Sequence, residues 1–309
     1  MLRCQIIYNP ESGKKKFVNY LDYVESRLIK AGYQVDIAAT KKQKHAIDLA
    51  KKACEERYDL LVISGGDGTL HECVNGIAVS QYKPKIGYIP SGTACDLANT
   101  LKIPKNVSKA VDIILTGVPV KMDIVKSTNG YFMYVTAIGT YVDISYVTNS
   151  KLKKHFGYFA YIFTGIKEFF TIPRIKTKII HDKGIYKGYF SLILVINSQK
   201  IAGFDFVNRP ILDDGKVDVI IYRYIPFINN FLYFLSIISG PRVLPFVHRF
   251  RTSKLEIYNN HSHKWNMDGE ESKSGNLNIE VIKQAIEIIV KPSVKAKFFK
   301  EQSDGKTKD

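Results

Sequence analysis

Residues 59–69, DLLVISGGDGT, limit the possible folds more than any other stretch of this chain. The run Asp59–Ser64 is almost wholly apolar and ends in Gly65-Gly66, so it offers water no polar face. Such a run suits a parallel strand buried on both sides. Its neighbours agree. Cys4–Tyr8 is a short apolar run leading into an Asn-Pro and Gly-Lys turn, and Phe17–Ala31 has helical spacing. Tyr33–Ala38 reads as a strand, His45–Arg57 as a helix, Leu70–Val79 as a helix, Lys85–Ile89 as a strand and Thr93–Leu101 as a helix. Strands alternating with helices of this length predict an α/β unit with a doubly wound parallel sheet.

Beyond Lys121 the pattern changes to short β-rich runs: Tyr131–Thr136, Lys176–His181, Phe190–Val195, Val217–Tyr222, Lys254–Tyr258, Asn278–Val281 and Ala285–Val290. Gly, Asn and Asp bound them, which predicts an antiparallel, sandwich-like, β-rich domain. Two helical stretches interrupt it, Phe156–Phe170 and Pro226–Ser239. A chain of 309 residues is long for one core, so two domains are expected. The first is expected over 1–124 with a return segment near 291–309, the second over 125–290, and the active site in the cleft between them. The charged tail, ending SDGKTKD, is expected to fray.

Forty-five Lys and Arg against 29 Asp and Glu give a formal charge of +16. That excess suits a polyanionic partner: nucleic acid, an anionic bilayer or a phosphate-bearing substrate. A solvated basic surface with no specific partner is the plain alternative. Cys4, Cys54, Cys73 and Cys95 form no CxxC and no metal-ligand spacing with histidine, as reduced thiols of a cytosolic protein would. The N-terminal MLRCQIIYNP reads as a first strand and not as a signal peptide. No apolar run reaches the about eighteen residues of a membrane span, and the nearest, Ile225–Leu235, is broken by Asn229 and Asn230. A cytoplasmic protein with peripheral membrane contact is expected.

Ser64-Gly65-Gly66-Asp67-Gly68-Thr69 lies between a buried strand and a helix. Successive glycines let amides approach a phosphate, and the helix start at Thr69 adds a positive dipole end. A carboxylate among those donors makes sense where a Mg²⁺ or a hydroxyl proton lies between it and the phosphate. The other reading is a plain turn. Pro90-Ser91-Gly92-Thr93-Ala94-Cys95-Asp96 follows the next strand, either as a second ligand loop or as a helix capped by Thr93 or Asp96. Asn9-Pro10-Glu11-Ser12-Gly13-Lys14 lacks the Walker spacing but can supply amides and Lys14–Lys16. Three such loops at strand ends point to a nucleotide binder or kinase. Asp268-Gly269 is either a hairpin turn or a close approach that serves Glu270. His261 and His263 read as exposed loop residues, and Trp265 as core packing.

The ordered set NPESGK at 9–14, SGGDGTLHECVNG at 64–76, PSGTACDLA at 90–98 and NMDGE at 266–270 resembles the diacylglycerol kinase catalytic family. LKKHFGYFAYIFTGIK at 152–167 and AGFDFVNRPILDDGKVDVII at 202–221 extend the resemblance over nearly residues 1–295, and soluble bacterial diacylglycerol kinases and related lipid kinases look most similar. The resemblance implies ATP as phosphoryl donor, Mg²⁺ as cofactor and a diacylglycerol-like lipid as acceptor, giving phosphatidic acid. It implies ATP contacts at Asn9, Pro10, Glu11, Ser12, Gly13, Thr40, Gly66, Asp67, Gly68, Thr69, Leu70, His71, Glu72 and Thr93. Glu270 falls on the general base, with Asp67 beside it as Mg²⁺ or proton partner. The LDDG turn matches a structural Mg²⁺ site made by the Asp214 carboxylate and the Ile211 and Lys216 carbonyls, an oxygen set suited to a hard cation. Cys95 stands where most members carry Asn, a stronger hydrogen-bonding side chain. A homodimer is compatible with the resemblance.

Lys151, Lys153 and Lys154 precede the aromatic run Phe156, Tyr158, Phe159, Tyr161, Phe163, which suits an anionic membrane surface or, equally, a helix packed in the second domain. Two other kinases share parts of the pattern: one acting on a phosphatidylglycerol- or sphingosine-like lipid, and one acting on NAD through a similar GGDGT loop. A nucleic-acid partner would need a recognition module, and none is readable.

Overall fold

The structure, a computed structural model, describes residues 1–13, 17–139, 173–225, 246–259 and 263–300. Lys14–Lys16, Lys151, Lys153, Lys154, the helical stretches expected at 156–170 and 226–239, and His261 lie outside the described residues.

Four parallel strands open the chain: β1 (Leu2–Tyr8), β2 (Tyr33–Ala39), β3 (Leu60–Gly65) and β4 (Lys85–Pro90), side by side in the order β2-β1-β3-β4. β3 is buried from end to end, as its apolar run demands. Between and after the strands come α1 (Leu21–Lys30), α2 (His45–Glu55), α3 (Asp67–Ala78), the short α4 (Asp96–Thr100) and α5 (Val107–Thr116). Their apolar positions, among them Leu28, Ala50, Leu70 and Ile77, meet Ile6, Leu61 and Ile63 in one core. α3 starts at Asp67 and not at Leu70, so the glycine turn is itself the first helical turn. α4 starts at Asp96 and not at Thr93, because Cys95 takes a left-handed φ of 56° that a helix cannot include. α5 was not expected. The Asn106 side chain caps it by accepting from the Lys109 amide at 2.9 Å.

The long antiparallel pair β5 (Val118–Ser127) and β17 (Leu277–Val290) joins this sheet to the rest. β17 lies parallel to β4 at Ile288, and antiparallel to β14 (Lys254–Asn259) through Leu277–Glu280. The second core is built on β6 (Gly130–Phe132), β7 (Val135–Gly139), β8 (Ile175–His181), β9 (Gly184–Ile196), β12 (Val217–Arg223), β14, and the hairpin of β15 (Lys264–Met267) and β16 (Glu270–Ser274). It buries Phe132, Phe190, Val219 and Trp265, whose indole N–H donates to the Gly275 carbonyl at 2.8 Å. β10 (Lys200–Ile201) and β11 (Phe204–Asp205) form a small separate hairpin, and β13 (Val247–Thr252) edges β12. The result is a mixed sheet with helices around two cores.

The boundary expected after residue 124 falls inside β5, whose Ile124 and Val125 face opposite sides and pack in the first and second core; the first core also takes Met133, Leu192 and Ile220 from beyond that point. The runs read as two strands, Asn278–Val281 and Ala285–Val290, are one strand whose register slips between Ile282 and Ile286. Gln284 takes φ 52° at the slip, and its amide donates to Asp123 Oδ1 at 2.7 Å. The Gly215 amide donates to the other oxygen at 2.6 Å. Burial pushes the wholly enclosed Asp123 up to about 6, and these two amides oppose it. A buried carboxylate thus fixes the point where one strand passes between cores. α6 (Pro292–Phe298) returns Val294 and Phe298 to the first core. Among the described residues no helix is long and apolar enough to cross a membrane.

Candidate active site

The loops after β1, β3 and β4 close on one another. The Asn9 amide donates to Ser64 O at 2.9 Å and its side-chain amide to Thr69 Oγ1 at 3.3 Å, while Asn9 Oδ1 accepts from the Glu11 amide at 2.9 Å. The Ser91 amide donates to Gly65 O at 2.9 Å. Gly92 sits so close to Gly66 that a Cβ would stand 2.5 Å from the Gly66 Cα, so only glycine fits between the second and third loops. Asn9 to Gly13, Gly66 to Thr69 and Ser91 to Thr93 therefore form one surface at the carboxyl ends of parallel strands. Thr40 ends β2 beside them, its amide donating to Tyr8 O at 2.8 Å, and the Thr93 carbonyl accepts from Lys105 Nζ at 2.6 Å.

Asp67 occupies the first turn of α3. Its Oδ1 is buried without a hydrogen-bond partner. Burial, then the charges of Asp96 and Asp268, push the carboxyl up to about 7, opposed by the backbone N–H groups of Asp96 and Cys95. One carboxylate oxygen is thus enclosed, although the residue as a whole stays partly exposed. Glu270, the first residue of β16, is brought to the same place from the second core. Its Oε1, Cδ and Cγ lie over Gly68, where a Cβ would collide with Oε1 and crowd Cδ. The absence of a side chain at Gly68 lets the Glu270 carboxylate rest on the first turn of α3, one residue beyond Asp67.

Three residues expected to touch ATP are held elsewhere by their side chains. Leu70 is fully buried in the first core. Glu72 accepts from the amides of Lys44 at 2.7 Å and Ala46 at 3.2 Å, which caps the start of α2. His71 meets Asp268 at 3.0 Å. Burial opposes the charged form of His71, but Asp268, Glu270 and Glu72 outweigh it and raise the imidazole above its ordinary value. Two further carboxylates give no signal in the sequence beyond a turn or a cap. Asp268 is wholly buried and accepts from three successive amides, Met133 at 2.7 Å, Tyr134 at 2.9 Å and Val135 at 3.1 Å. Asp96 does not cap its own helix; it accepts from the amides of Ala202 at 2.7 Å and Gly203 at 3.2 Å, tying the β10–β11 turn to the third loop. His263 lies half-buried just before the hairpin.

A catalytic Mg²⁺ passes a test of fit at Asp67. A buried carboxylate oxygen without a partner is costly, and a hard cation bridging it to phosphate oxygens would satisfy it. Among the described residues no three His, Cys, Asp or Glu side chains are arranged to hold a metal. The second site does not fit. Asp214 accepts from Arg251 Nη1 at 2.9 Å and Nη2 at 3.1 Å, and Nη2 also reaches the Lys216 carbonyl at 3.4 Å. A guanidinium thus holds two of the three groups assigned to the ion, leaving the Ile211 carbonyl alone. Asp214→Ala is expected to lower stability by about 1–2 kcal/mol, between the usual values for exposed and buried pairs. The loss should be equal in Mg²⁺ and in EDTA. Wild-type melting that rises with Mg²⁺, and stops doing so in Asp214→Ala, would restore the ion.

Comparison with known proteins gives the family and the fold. The diacylglycerol kinase catalytic domain family matches residues 3–127. A diacylglycerol kinase of Staphylococcus carnosus (strain TM300) is 40% identical over 222 residues, 72% of each chain. That of Staphylococcus epidermidis (strain ATCC 35984) is 41% identical over 220 residues, 71% of this chain and 70% of its own. Two solved structures from Bacillus anthracis str. Sterne share the fold, one at TM-score 0.82 and 24% identity. The other, of a diacylglycerol kinase, has TM-score 0.74 at 22% identity, and each match covers 94% of this chain and 98% of the other.

Proposed function

This chain belongs to the diacylglycerol kinase family, and we propose that it transfers the γ-phosphoryl group of ATP to the free hydroxyl of diacylglycerol, giving phosphatidic acid. It is a lipid kinase, a phosphotransferase with an alcohol acceptor. Phosphoryl transfer asks for positioning and charge neutralisation more than for covalent work. The amides of Gly66–Thr69 and of the loops at Ser12-Gly13 and Gly92-Thr93 cradle the phosphates, with the amino end of α3 adding its positive dipole. Asp67 would hold Mg²⁺, which would supply neutralisation of the phosphate charge. Glu270 accepts the proton of the acceptor hydroxyl. The observation that carries this reading is the Glu270 carboxylate lying on Gly68, one residue beyond Asp67: an acceptor-side base and a phosphate cradle in one place.

The net charge of +16 supports work at an anionic, cytoplasm-facing membrane surface from which the lipid is drawn. The test is a radiolabelled-ATP assay with Mg²⁺ on anionic mixed micelles carrying diacylglycerol, phosphatidylglycerol or sphingosine, and on soluble NAD. Label is expected in phosphatidic acid. Label confined to sphingosine, phosphatidylglycerol or NAD overturns the substrate assignment.

A further inference from the structure

We propose that His71 is a positioning residue for Glu270, gripping Asp268 so that the Asp268-Gly269-Glu270 turn stays seated against the nucleotide loop. The proposal rests on the reading of Glu270 as the base. His71 lies one helical turn beyond Asp67 on α3, so the two side chains share a face of the helix. Of the four groups that bond the Asp268 carboxylate, three are amides of residues 133–135, which continue the strand beside the hairpin, and the Asp268 amide itself donates to Val135 O at 2.9 Å. The fourth is His71 Nδ1, reaching across from the nucleotide-binding half at 3.0 Å. Asp268 and Gly269 take successive left-handed φ values of 51° and 89°, and the Gly269 amide donates to Asn266 Oδ1 at 2.9 Å. The turn is therefore well defined internally, and Glu270 inherits its position from wherever Asp268 is held.

The proton on Nδ1 is set by the neighbours. The Asn75 amide is oriented by Tyr131, whose N–H donates to Oδ1 at 2.9 Å and whose carbonyl accepts from Nδ2 at 2.9 Å. Nδ2 also donates to the His71 carbonyl at 2.9 Å, so its two hydrogens go to the Tyr131 and His71 carbonyls, and in the neutral ring His71 Nδ1 carries a hydrogen because it faces the Asp268 carboxylate, an acceptor of three amides. In the charged ring Nδ1 carries it too. In either state Nδ1–H donates to Asp268. Asn75 also fastens α3 to the strand at Tyr131 without help from His71, so removing the imidazole leaves the two halves joined and loosens only the hold on the turn.

A misplacement of about 1 Å can cost on the order of 10²-fold in rate. An asparagine places its side-chain N–H where Nδ1 stands, whereas a glutamine places its own near Nε2. His71→Gln and His71→Leu are therefore expected to lower kcat at least about tenfold, with KM for ATP and the melting temperature close to wild type. His71→Asn is expected to restore most of the loss. The deciding measurement is a cycle with Glu270→Gln: adding either His71 variant to it should cost nothing further. Multiplicative losses, or equal falls in activity and melting temperature for both His71→Gln and His71→Leu, overturn the positioning role. A fully active Glu270→Gln overturns the base assignment and this proposal together, so the two failures are told apart.

Discussion

Glu270→Gln is expected to lower turnover on the order of 10²-fold or more, the contribution usual for a positioned general base. The substitution keeps shape and hydrogen bonding and removes only the proton-accepting charge. ATP affinity should barely change, because Glu270 comes from β16 and rests on Gly68, whereas the proposed phosphate cradle is made of loop amides. Glu271 is the internal control. It sits on the exposed hairpin, paired across the strands with Lys264 Nζ at 2.5 Å. Pairs of that kind contribute about 0–1 kcal/mol, so Glu271→Gln should leave kcat and stability nearly unchanged. A dead Glu271→Gln beside an active Glu270→Gln would shift the motif by one residue. Activity in both would make Asp67 the better candidate for base.

The parts of the fold that were legible in the sequence are those governed by neighbouring residues. β3 and β4 follow from their own apolar runs, and the glycine turns after them follow from the need for close backbone approach. α5 and β5 went unread, since the stretch ILTGVPVKMD shifts from helical to extended character within a few residues. β17 looked like two strands because the left-handed residue at its bend is Gln284, and no glycine marks the place. The reason for that bend is Asp123, which is distant in sequence. Long-range pairing explains the rest. Asp268-Gly269 reads as a hairpin turn, and it is one; its second role as an anchor for three amides and His71 depends on a strand more than a hundred residues away. Arg251 lies on β13, which had no strand signature of its own, so its capture of Asp214 could not be anticipated from LDDG. Local chemistry identified the glycine loop and the DGE turn; only the fold places one over the other.

Asp67→Asn should abolish turnover and yet leave the protein at least as stable as wild type above neutral pH. The first half follows from the orphaned Oδ1, the carboxylate oxygen that would take the cation, since an amide is a far weaker ligand for one. The second half follows from linkage. An acid whose folded value is raised favours its protonated form in the native state, so ionising it costs stability. For Asp67 that cost begins as pH rises past the ordinary carboxylate value and is complete above about 7. Asparagine removes it. In metal-free buffer the variant should therefore melt at or above the wild-type temperature at pH 8, with the difference shrinking towards pH 4. Retained turnover in Asp67→Asn would return the residue to a turn-forming role. A variant that melts well below wild type at pH 8 would mean that the carboxylate holds the loop together through the Asp96 and Cys95 amides, and that the loss of activity reflects a displaced loop.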